Sequence, residues 1–359
     1  MNRRHQTESL VTLDSLPGTN HPHRQLDELL CFRSLSQPFS NIYGTRGPKG
    51  RGVEFGLRSL VLQFMNDLSD REMERYLSEN LVAKWFCGLG LGQSTPDHSY
   101  FGDYRSRIGT EGLMDIFSQV RESLKSMGLI REVFTFADTS QLISKLTTWD
   151  DRDKAIKAGL EKFNNETASQ VAVDPQARFG CKGNNKFWYG YKEHASVDRQ
   201  SGLINKIAAT SAEVTDAQGL EHVCPKSGAV YADKGYCVSP ARITLKRNGC
   251  HNATIKKNNM MGKNKDKDRW ISGIRSPCER VFAHRNKRVR YRGLQKVQFQ
   301  VGIRALVFNL KRLMVLGVEQ IKLLPAWDKS VFILQNRQIE GGNSLPRVET
   351  GPASSLVVY

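Results

Sequence analysis

The hydrophobic residues of this chain change their spacing near Gly128, and this change limits the possible folds more than any other feature. From Val53 to Leu129 apolar residues recur at helical spacing, and the S-x-x-E sequence Ser69–Glu72 predicts a capping box at a helix start. After Gly128 the sequence IREVFTFADTS is rich in β-branched and aromatic residues and predicts a buried strand that ends at Asp138. An all-α module followed by a module that contains a sheet is therefore expected.

The second module alternates strand and helix signals. Arg199–Gly202 predicts a hairpin turn between two strands, Ala217–Val223 predicts a short helix, and GAVYAD predicts a strand that ends in Asp233. A short strand is predicted at His251–Ile255, and one long helix is predicted from Pro277 onward, through VFNLKRLMVLG. This order predicts an α/β fold with a mixed sheet.

Positive charge is concentrated in one part of the chain. The 359 residues carry a formal net charge of +17, and residues 241–300 contain seventeen Lys and Arg against three acids. Nucleic acid is favoured over a membrane as the partner, because the basic stretch lacks a clean apolar face. The start MNRRHQTESL does not predict a signal peptide, and the most apolar late run is interrupted by basic residues. We therefore expect a cytoplasmic protein without a membrane partner.

Three acids are candidates for binding metal. Asp138 and Asp233 are expected at strand ends, and Glu279 stands alone in a basic helix, where it would repel DNA phosphate unless it bound a cation. Two-metal phosphodiester chemistry needs a bridging carboxylate and one more for each ion, so three acids are sufficient. Simpler roles exist, since a strand-end Asp often caps a turn and Glu279 can support a helix through i,i+4 pairs. Four rival acids are Asp150, Asp151, Asp153 and Asp174.

Several motifs within residues 30–315 resemble the DDE transposases of bacterial insertion sequences, in particular the group called insertion-sequence family five. The N-terminal motifs are LSDRE, WF, TPDHS and R-x-R-x-G, and the later motifs are FADTS, WDDRDKA, VDPQARFGCKG, YADKGY and RSPCER. The resemblance implies an RNase H-like catalytic domain with Asp138 on the first strand, Asp233 after the fourth strand and Glu279 on the last helix. These residues would form a catalytic triad that binds two Mg²⁺ ions, with Mn²⁺ as a substitute.

Composition, hydrophobic spacing and the resemblance together predict a division of the chain into four parts. These are a polar flexible tail at 1–30, a helical DNA-binding domain at 31–129, an RNase H-like DDE domain at 130–325 and a flexible tail at 326–359. The implied protein is a bacterial, nucleoid-associated transposase that binds terminal inverted repeats, cleaves double-stranded DNA and transfers strands, as a dimer or higher oligomer. An inactive DNA-binding remnant or repressor and a hydrolytic RNase H-like nuclease remain as alternatives.

Basic residues near Glu279 are expected to hold the DNA backbone, which positions the protein without reading sequence. They are Arg275, Arg280, Arg285, Lys287, Arg288, Arg290 and Arg292.

The chain departs from the family's signature, Tyr-x₂-Arg-x₃-Glu-x₆-Lys, at two positions. Ser272 occupies the Tyr position and Asn286 the Lys position. Trp270 is a candidate substitute for the aromatic residue, and Arg285 or Lys287 for the cation.

Overall fold

The computed structural model describes residues 12–43, 50–145, 165–182, 186–274, 276–283 and 286–323. Its first helices are α1 (Pro22–Leu29), α2 (Phe32–Ser36), α3 (Val53–Met65), α4 (Asp70–Glu79), α5 (Leu81–Phe86) and α6 (Ser99–Ser126). The elements that follow are β1 (Phe134–Ile143), α7 (Asn165–Val171), β2 (Arg178–Lys182), β3 (Lys186–Asp198), β4 (Ile204–Ser211), α8 (Asp216–Val223) and β5 (Ala229–Tyr231). The last are α9 (Ser239–Arg247), β6 (His251–Asn252), α10 (Lys265–Ile274), α11 (Ser276–Ala283) and α12 (Leu294–Val315).

The helical module forms as the hydrophobic spacing predicts. Helix α4 begins at the predicted capping box, in which Ser69 Oγ accepts from the Glu72 N–H and the Glu72 carboxylate accepts from the Ser69 N–H. Helix α6 is interrupted at Gly109, whose φ of 64° and ψ of 175° are not helical. The predicted capping box is confirmed.

The sheet is mixed, with the strand order β2-β3-β1-β5-β6, and β4 also pairs with β3. Strands β1, β3 and β4 form antiparallel pairs, whereas β5 is parallel to β1 and β6 is parallel to β5. The predicted hairpin is confirmed, because β3 and β4 flank Arg199–Gly202. An N-terminal helical region followed by a mixed sheet confirms the predicted fold class.

Helix α12 contacts both modules. It packs against α3 and α6 of the helical module and against β4 of the sheet. Its buried Asn309 side chain accepts from the Ile204 N–H at 2.8 Å and donates to the Ile204 carbonyl at 2.9 Å. Residues Met1–Ala326 form one compact unit. The predicted boundary at 129/130 therefore lies within one packed body, and it stays a prediction.

The prediction of one long helix from Pro277 is wrong. The structure has two helices, α11 and α12, separated by residues that include 286–293. The intervening chain pairs with the end of β1, since the Ile143 N–H donates to the Lys287 carbonyl at 2.7 Å and the Val289 N–H donates to the Ile143 carbonyl at 3.0 Å. These backbone hydrogen bonds replace those of a continuous helix.

The predicted N-terminal tail, residues 1–30, contains a helix. Helix α1 has Pro22 at its N-terminus, where proline is favoured, and His21 Nδ1 accepts from the His23 N–H. Leu26 and Leu29 are fully buried, so α1 belongs to the core. The predicted C-terminal tail lies outside the described residues, and so do residues 150–163, whose sequence predicts a helix. No helix in the described part of the chain is long and apolar enough to cross a membrane.

Candidate active site

Asp138 lies on β1, and Asp233 lies at the matching position just after the neighbouring parallel strand β5. β1 and β5 pair in register up to Phe136 and Tyr231, and each acid lies two residues beyond that last pair. Because parallel strands run in the same direction, equal distances from a register pair lead to the same edge of the sheet. The register thus places these two predicted metal ligands level with each other along β1 and β5.

The end of β1 differs from its prediction. The strand was expected to end at Asp138, but it continues to Ile143, because β3 still pairs with it and places Ala195 opposite Asp138. Asp233 does follow a strand, but that strand, β5, is the fifth in chain order and not the fourth.

Each carboxylate accepts a backbone hydrogen bond close to its own position. Asp138 Oδ1 accepts from the Thr139 N–H at 2.9 Å, and Asp233 Oδ1 accepts from the Gly235 N–H at 2.8 Å. A Cβ at residue 235 would lie 2.9 Å from Asp233 Oδ1 and would push the Asp233 carboxylate aside. These contacts orient both carboxylates.

The third predicted ligand, Glu279, is described only by its helical backbone. It belongs to α11, and α11 packs against β1, the strand that carries Asp138. The side chain of Glu279 lies outside what the structure describes, and so do Arg275 and Arg285.

A buried group of polar side chains adjoins the two aspartates. Tyr236 Oη lies 2.7 Å from Thr139 Oγ1, which lies 3.0 Å from His194 Nδ1. His194 Nε2 lies 2.8 Å from Thr210 Oγ1. Burial lowers the pKa of His194 to about 3 and raises the pKa of Tyr236, so both side chains are uncharged at neutral pH.

Sequence reasoning missed these residues as members of the site. The available signals were the second Tyr of YADKGY, which is Tyr236, and the histidine within KEHASVD, which is His194. A polar residue alternating with apolar ones usually marks a solvated strand face. Here helix α8 covers that face, because residue 219 is a glycine whose absent Cβ would lie 2.0 Å from His194 Cε1.

We expect His194 to make folding stability fall in acid. The unfolded chain takes up a proton near the ordinary pKa of 6.5, whereas the folded chain does so only near 3. Between these values the free energy of unfolding should fall by up to about 1.4 kcal/mol per pH unit because of this residue. Urea unfolding at several pH values should show a shallower fall for His194→Gln than for the wild type. Equal slopes would contradict a neutral, buried imidazole.

The described side chains also include a group of three potential metal ligands away from this sheet. Glu74, Asp97 and His98 lie close enough together to share an ion. His98 Nδ1 is 3.2 Å from Glu74 Oε2 and 3.0 Å from Asp97 Oδ2, and Asp97 Oδ1 accepts from the Ser99 N–H. These contacts give the three side chains a structural role at the start of α6.

Two family models match the chain. One, described as Transposase domain (DUF772), matches residues 11–107, and the other, described as Transposase DDE domain, matches residues 163–310. The chain belongs to the DDE transposases. Enzymes of this family cut DNA and transfer strands in metal-dependent reactions. The matches do not distinguish insertion-sequence family five from other insertion elements, so that finer membership stays a prediction.

Two solved structures resemble this transposase weakly. The piggyBac transposase synaptic complex with hairpin DNA is 8% identical, over 92% of this chain and 87% of that chain, with a TM-score of 0.35. The Mos1 transposase paired-end complex with the left transposon end is 8% identical, over 86% of this chain and 96% of that chain, with a TM-score of 0.17. Neither score is high enough to relate that fold to this one in detail. The family assignment rests on the two family-model matches.

The carboxylates of the transposase fit the hard divalent cations that its family uses. Asp233 and Glu279 lie inside the matched DDE range, and Asp138 lies between the two matched ranges. Carboxylate oxygens are the ligands that Mg²⁺ and Mn²⁺ prefer, and metal sites orient such ligands by hydrogen bonds like those from Thr139 and Gly235.

The rival acid Asp174 has a structural role. It is 1% exposed, both of its carboxylate oxygens lie 2.9 Å from the Tyr191 hydroxyl, and Ser144 Oγ donates to Oδ2 at 3.2 Å. These contacts anchor the end of β1 to β3. The other rivals, Asp150, Asp151 and Asp153, lie outside the described residues.

Four of the basic residues predicted to contact DNA are exposed. They are Arg280, Lys287, Arg288 and Arg292. Arg290 differs, because its guanidinium donates to the Leu68 carbonyl at 2.7 Å, pairs with Asp67 and lies 4.8 Å from the centre of the Phe64 ring. The structure therefore gives Arg290 the role of holding the segment after α11 against the helical module, and we omit it from the proposed DNA contacts.

Replacing Arg290 and replacing Arg292 should have opposite effects. Arg290→Ala should lower the free energy of unfolding by about 1–3 kcal/mol, because it removes charged hydrogen bonds from a partly buried group. Arg292→Ala should leave stability unchanged and reduce the slope of log affinity against log salt by about 0.9, the value for one lost phosphate contact. Denaturant unfolding and DNA titrations at several salt concentrations measure both. An Arg290→Ala protein with full stability and a reduced salt slope would restore Arg290 as a DNA contact.

Proposed function

We propose that this transposase cleaves the ends of its element in a site formed by Asp138, Asp233 and Glu279. The matching positions of Asp138 and Asp233 beyond the β1–β5 ladder carry the proposal. The packing of α11, the helix of Glu279, against β1 supports it. We propose two Mg²⁺ ions as the metal, with Mn²⁺ as a substitute, and the three carboxylates as their ligands.

The proposed reaction has two steps, and in each an oxygen nucleophile attacks a phosphodiester. Water attacks the phosphodiester at the transposon end, and the freed 3′-hydroxyl then attacks the target DNA. The bound ions supply Lewis-acid chemistry, which activates the attacking oxygen and stabilises the leaving oxygen. Asp138 and Asp233 contribute fixed negative charge at one sheet edge, which keeps the cations at that edge while DNA is exchanged.

The proposed DNA path follows the exposed cations beside α11. Arg280 lies on α11, and Lys287, Arg288 and Arg292 lie on the segment that pairs with the end of β1. Arg275 and Arg285 are proposed with them from the sequence alone. Contacts of this kind add affinity and salt dependence without reading sequence. Recognition of terminal inverted repeats is proposed for the helical domain at 31–129, and bringing two ends together requires at least a dimer.

Trp270 is proposed to replace the aromatic residue of the family signature. Ser272, at the signature position, is exposed, and its hydroxyl donates to the Asp268 carbonyl. Trp270 is 51% exposed, and the centre of its ring lies 6.0 Å from the centre of the Tyr231 ring in a T-shaped arrangement. Tyr231 lies two residues before Asp233, so an exposed aromatic surface lies beside the proposed site.

The experiment that tests this function is Mg²⁺-dependent nicking and strand transfer on a labelled duplex that carries the element's terminal inverted repeat. Wild type and a Glu319→Ala control, which changes an exposed acid after α12, should give cleaved and joined products. Glu279→Ala should bind the duplex and give neither product. Binding without cleavage by every protein would indicate a DNA-binding remnant or repressor, and cleavage without joining would indicate a hydrolytic nuclease.

A further inference from the structure

The hydrogen-bond chain from Tyr236 through Thr139 and His194 to Thr210 has one consistent direction. The Thr210 hydroxyl donates to the Ser211 carbonyl at 3.2 Å, so its oxygen accepts from His194 Nε2–H. A neutral imidazole carries one hydrogen, so His194 Nδ1 accepts from the Thr139 hydroxyl. The Thr139 oxygen then accepts from the Tyr236 hydroxyl at 2.7 Å. Every hydrogen in the chain therefore has an acceptor.

This chain connects the two carboxylate segments where the backbone no longer does. The β1–β5 ladder ends at Phe136 and Tyr231. Beyond it, Thr139 directly follows Asp138, and Tyr236 ends the 3₁₀ turn that Asp233 caps. The hydrogen bond between the Tyr236 and Thr139 side chains therefore joins the turn after Asp233 to the strand after Asp138.

The groups that make this connection are fixed by packing. His194 is fully buried, and helix α8 lies directly on its imidazole at Gly219. Tyr236 is 1% exposed and belongs to a hydrophobic cluster with Leu220 of α8 and Leu245 of α9. Tyr236 cannot turn away without opening that cluster, and His194 cannot turn away without moving against α8, so packing holds both rings in place.

We propose that Tyr236 is a positioning residue for the metal site, whose hydroxyl holds Asp233 at its working separation from Asp138. The Thr139 oxygen accepts the hydrogen bond from that hydroxyl, and the hydrogen bond from Thr139 to His194 fixes the orientation of the Thr139 side chain. The inference rests on the proposed metal-binding role of the two aspartates. It extends the set of residues that determine metal affinity to three side chains that are not among the proposed metal ligands.

The test compares variants that delete one hydroxyl and keep the rest of the side chain. Tyr236→Phe keeps the buried ring, and Thr139→Val keeps the shape of Thr139. Thr139→Ser retains a hydroxyl and serves as the rescue variant. The matched control is Tyr104→Phe, which removes a buried hydroxyl that donates to the Val53 carbonyl at 3.2 Å in the helical module.

Two quantities are measured on the full chain with a terminal-repeat duplex. One is the melting temperature without metal, and the other is Mn²⁺ affinity by electron paramagnetic resonance. The Mn²⁺ bound by a double variant, Asp138→Asn with Asp233→Asn, is measured in the same way and subtracted as background. Tyr236→Phe and Thr139→Val should raise the Mn²⁺ dissociation constant about 10–100-fold, the usual effect of losing a group that orients a ligand. Tyr104→Phe should leave it unchanged, and Thr139→Ser should restore most of the affinity.

Three other outcomes would contradict the proposal, each at a different step. A Tyr236→Phe protein with wild-type Mn²⁺ affinity, and a melting temperature lowered as in Tyr104→Phe, would show that the hydroxyl only stabilises the fold. A Thr139→Ser protein as weak as Thr139→Val would overturn the role of the Thr139 hydroxyl. If wild type binds no more Mn²⁺ than the double aspartate variant, the proposed metal ligands are wrong, whatever the tyrosine does.

Discussion

Replacing Asp233 with asparagine is expected to reduce DNA cleavage on the order of a thousandfold while leaving DNA binding nearly intact. The substitution keeps the size of the side chain and the acceptor for the Gly235 N–H, and it removes the negative charge. Loss of a charged metal ligand removes several kcal/mol of transition-state stabilisation, and each 1.4 kcal/mol is tenfold in rate. Single-turnover cleavage of the terminal-repeat duplex, with binding measured in parallel, gives both quantities.

The control for this result is Asp266→Asn, which removes the same charge from an exposed side chain on α10. It should cleave at the wild-type rate. If Asp233→Asn also cleaves normally, Asp233 acts as a turn cap and not as a metal ligand. If both variants lose DNA binding to the same extent, the effect belongs to the fold or to overall charge.

Replacing Gly228 with alanine is expected to destabilise the protein by roughly 3–5 kcal/mol, the largest effect on stability that we predict. Gly228 immediately precedes β5 and has a φ of +79°. An added Cβ would lie 1.9 Å from the Glu132 carbonyl oxygen and 2.7 Å from the Val133 carbonyl oxygen. Both obstacles are backbone atoms next to β1, so the start of β5 must move away from β1 to relieve the clash.

Gly249→Ala is the matched control, because Gly249 has a φ of +66° and a Cβ there would meet nothing within 4 Å. It should cost only the left-handed backbone conformation, about 1–2 kcal/mol. Denaturant unfolding of both variants separates the steric clash from the backbone strain. Equal losses of stability would show that the backbone at Glu132 and Val133 does not obstruct a Cβ at position 228.

The two aspartates were predictable because the strands before them are buried on both faces and therefore read as apolar runs. Their register was not predictable, since it depends on pairing between residues about 95 positions apart. The end of α11 was not predictable for the same reason, because it depends on pairing between Ile143 and Arg288, which are far apart in the sequence. Local sequence could not assign Arg290 either, because its partners Asp67 and Leu68 are more than 220 residues away.

Helix α12 also determines when the protein can finish folding during synthesis. It supplies core side chains to both modules, yet it is made after every described strand and after the other described helices. Until residues 294–315 have left the ribosome, α3, α6 and β4 all lack one of their packing partners. A message that ends early should therefore yield an unfolded chain, and not an independent DNA-binding fragment that competes with the complete enzyme for the same ends.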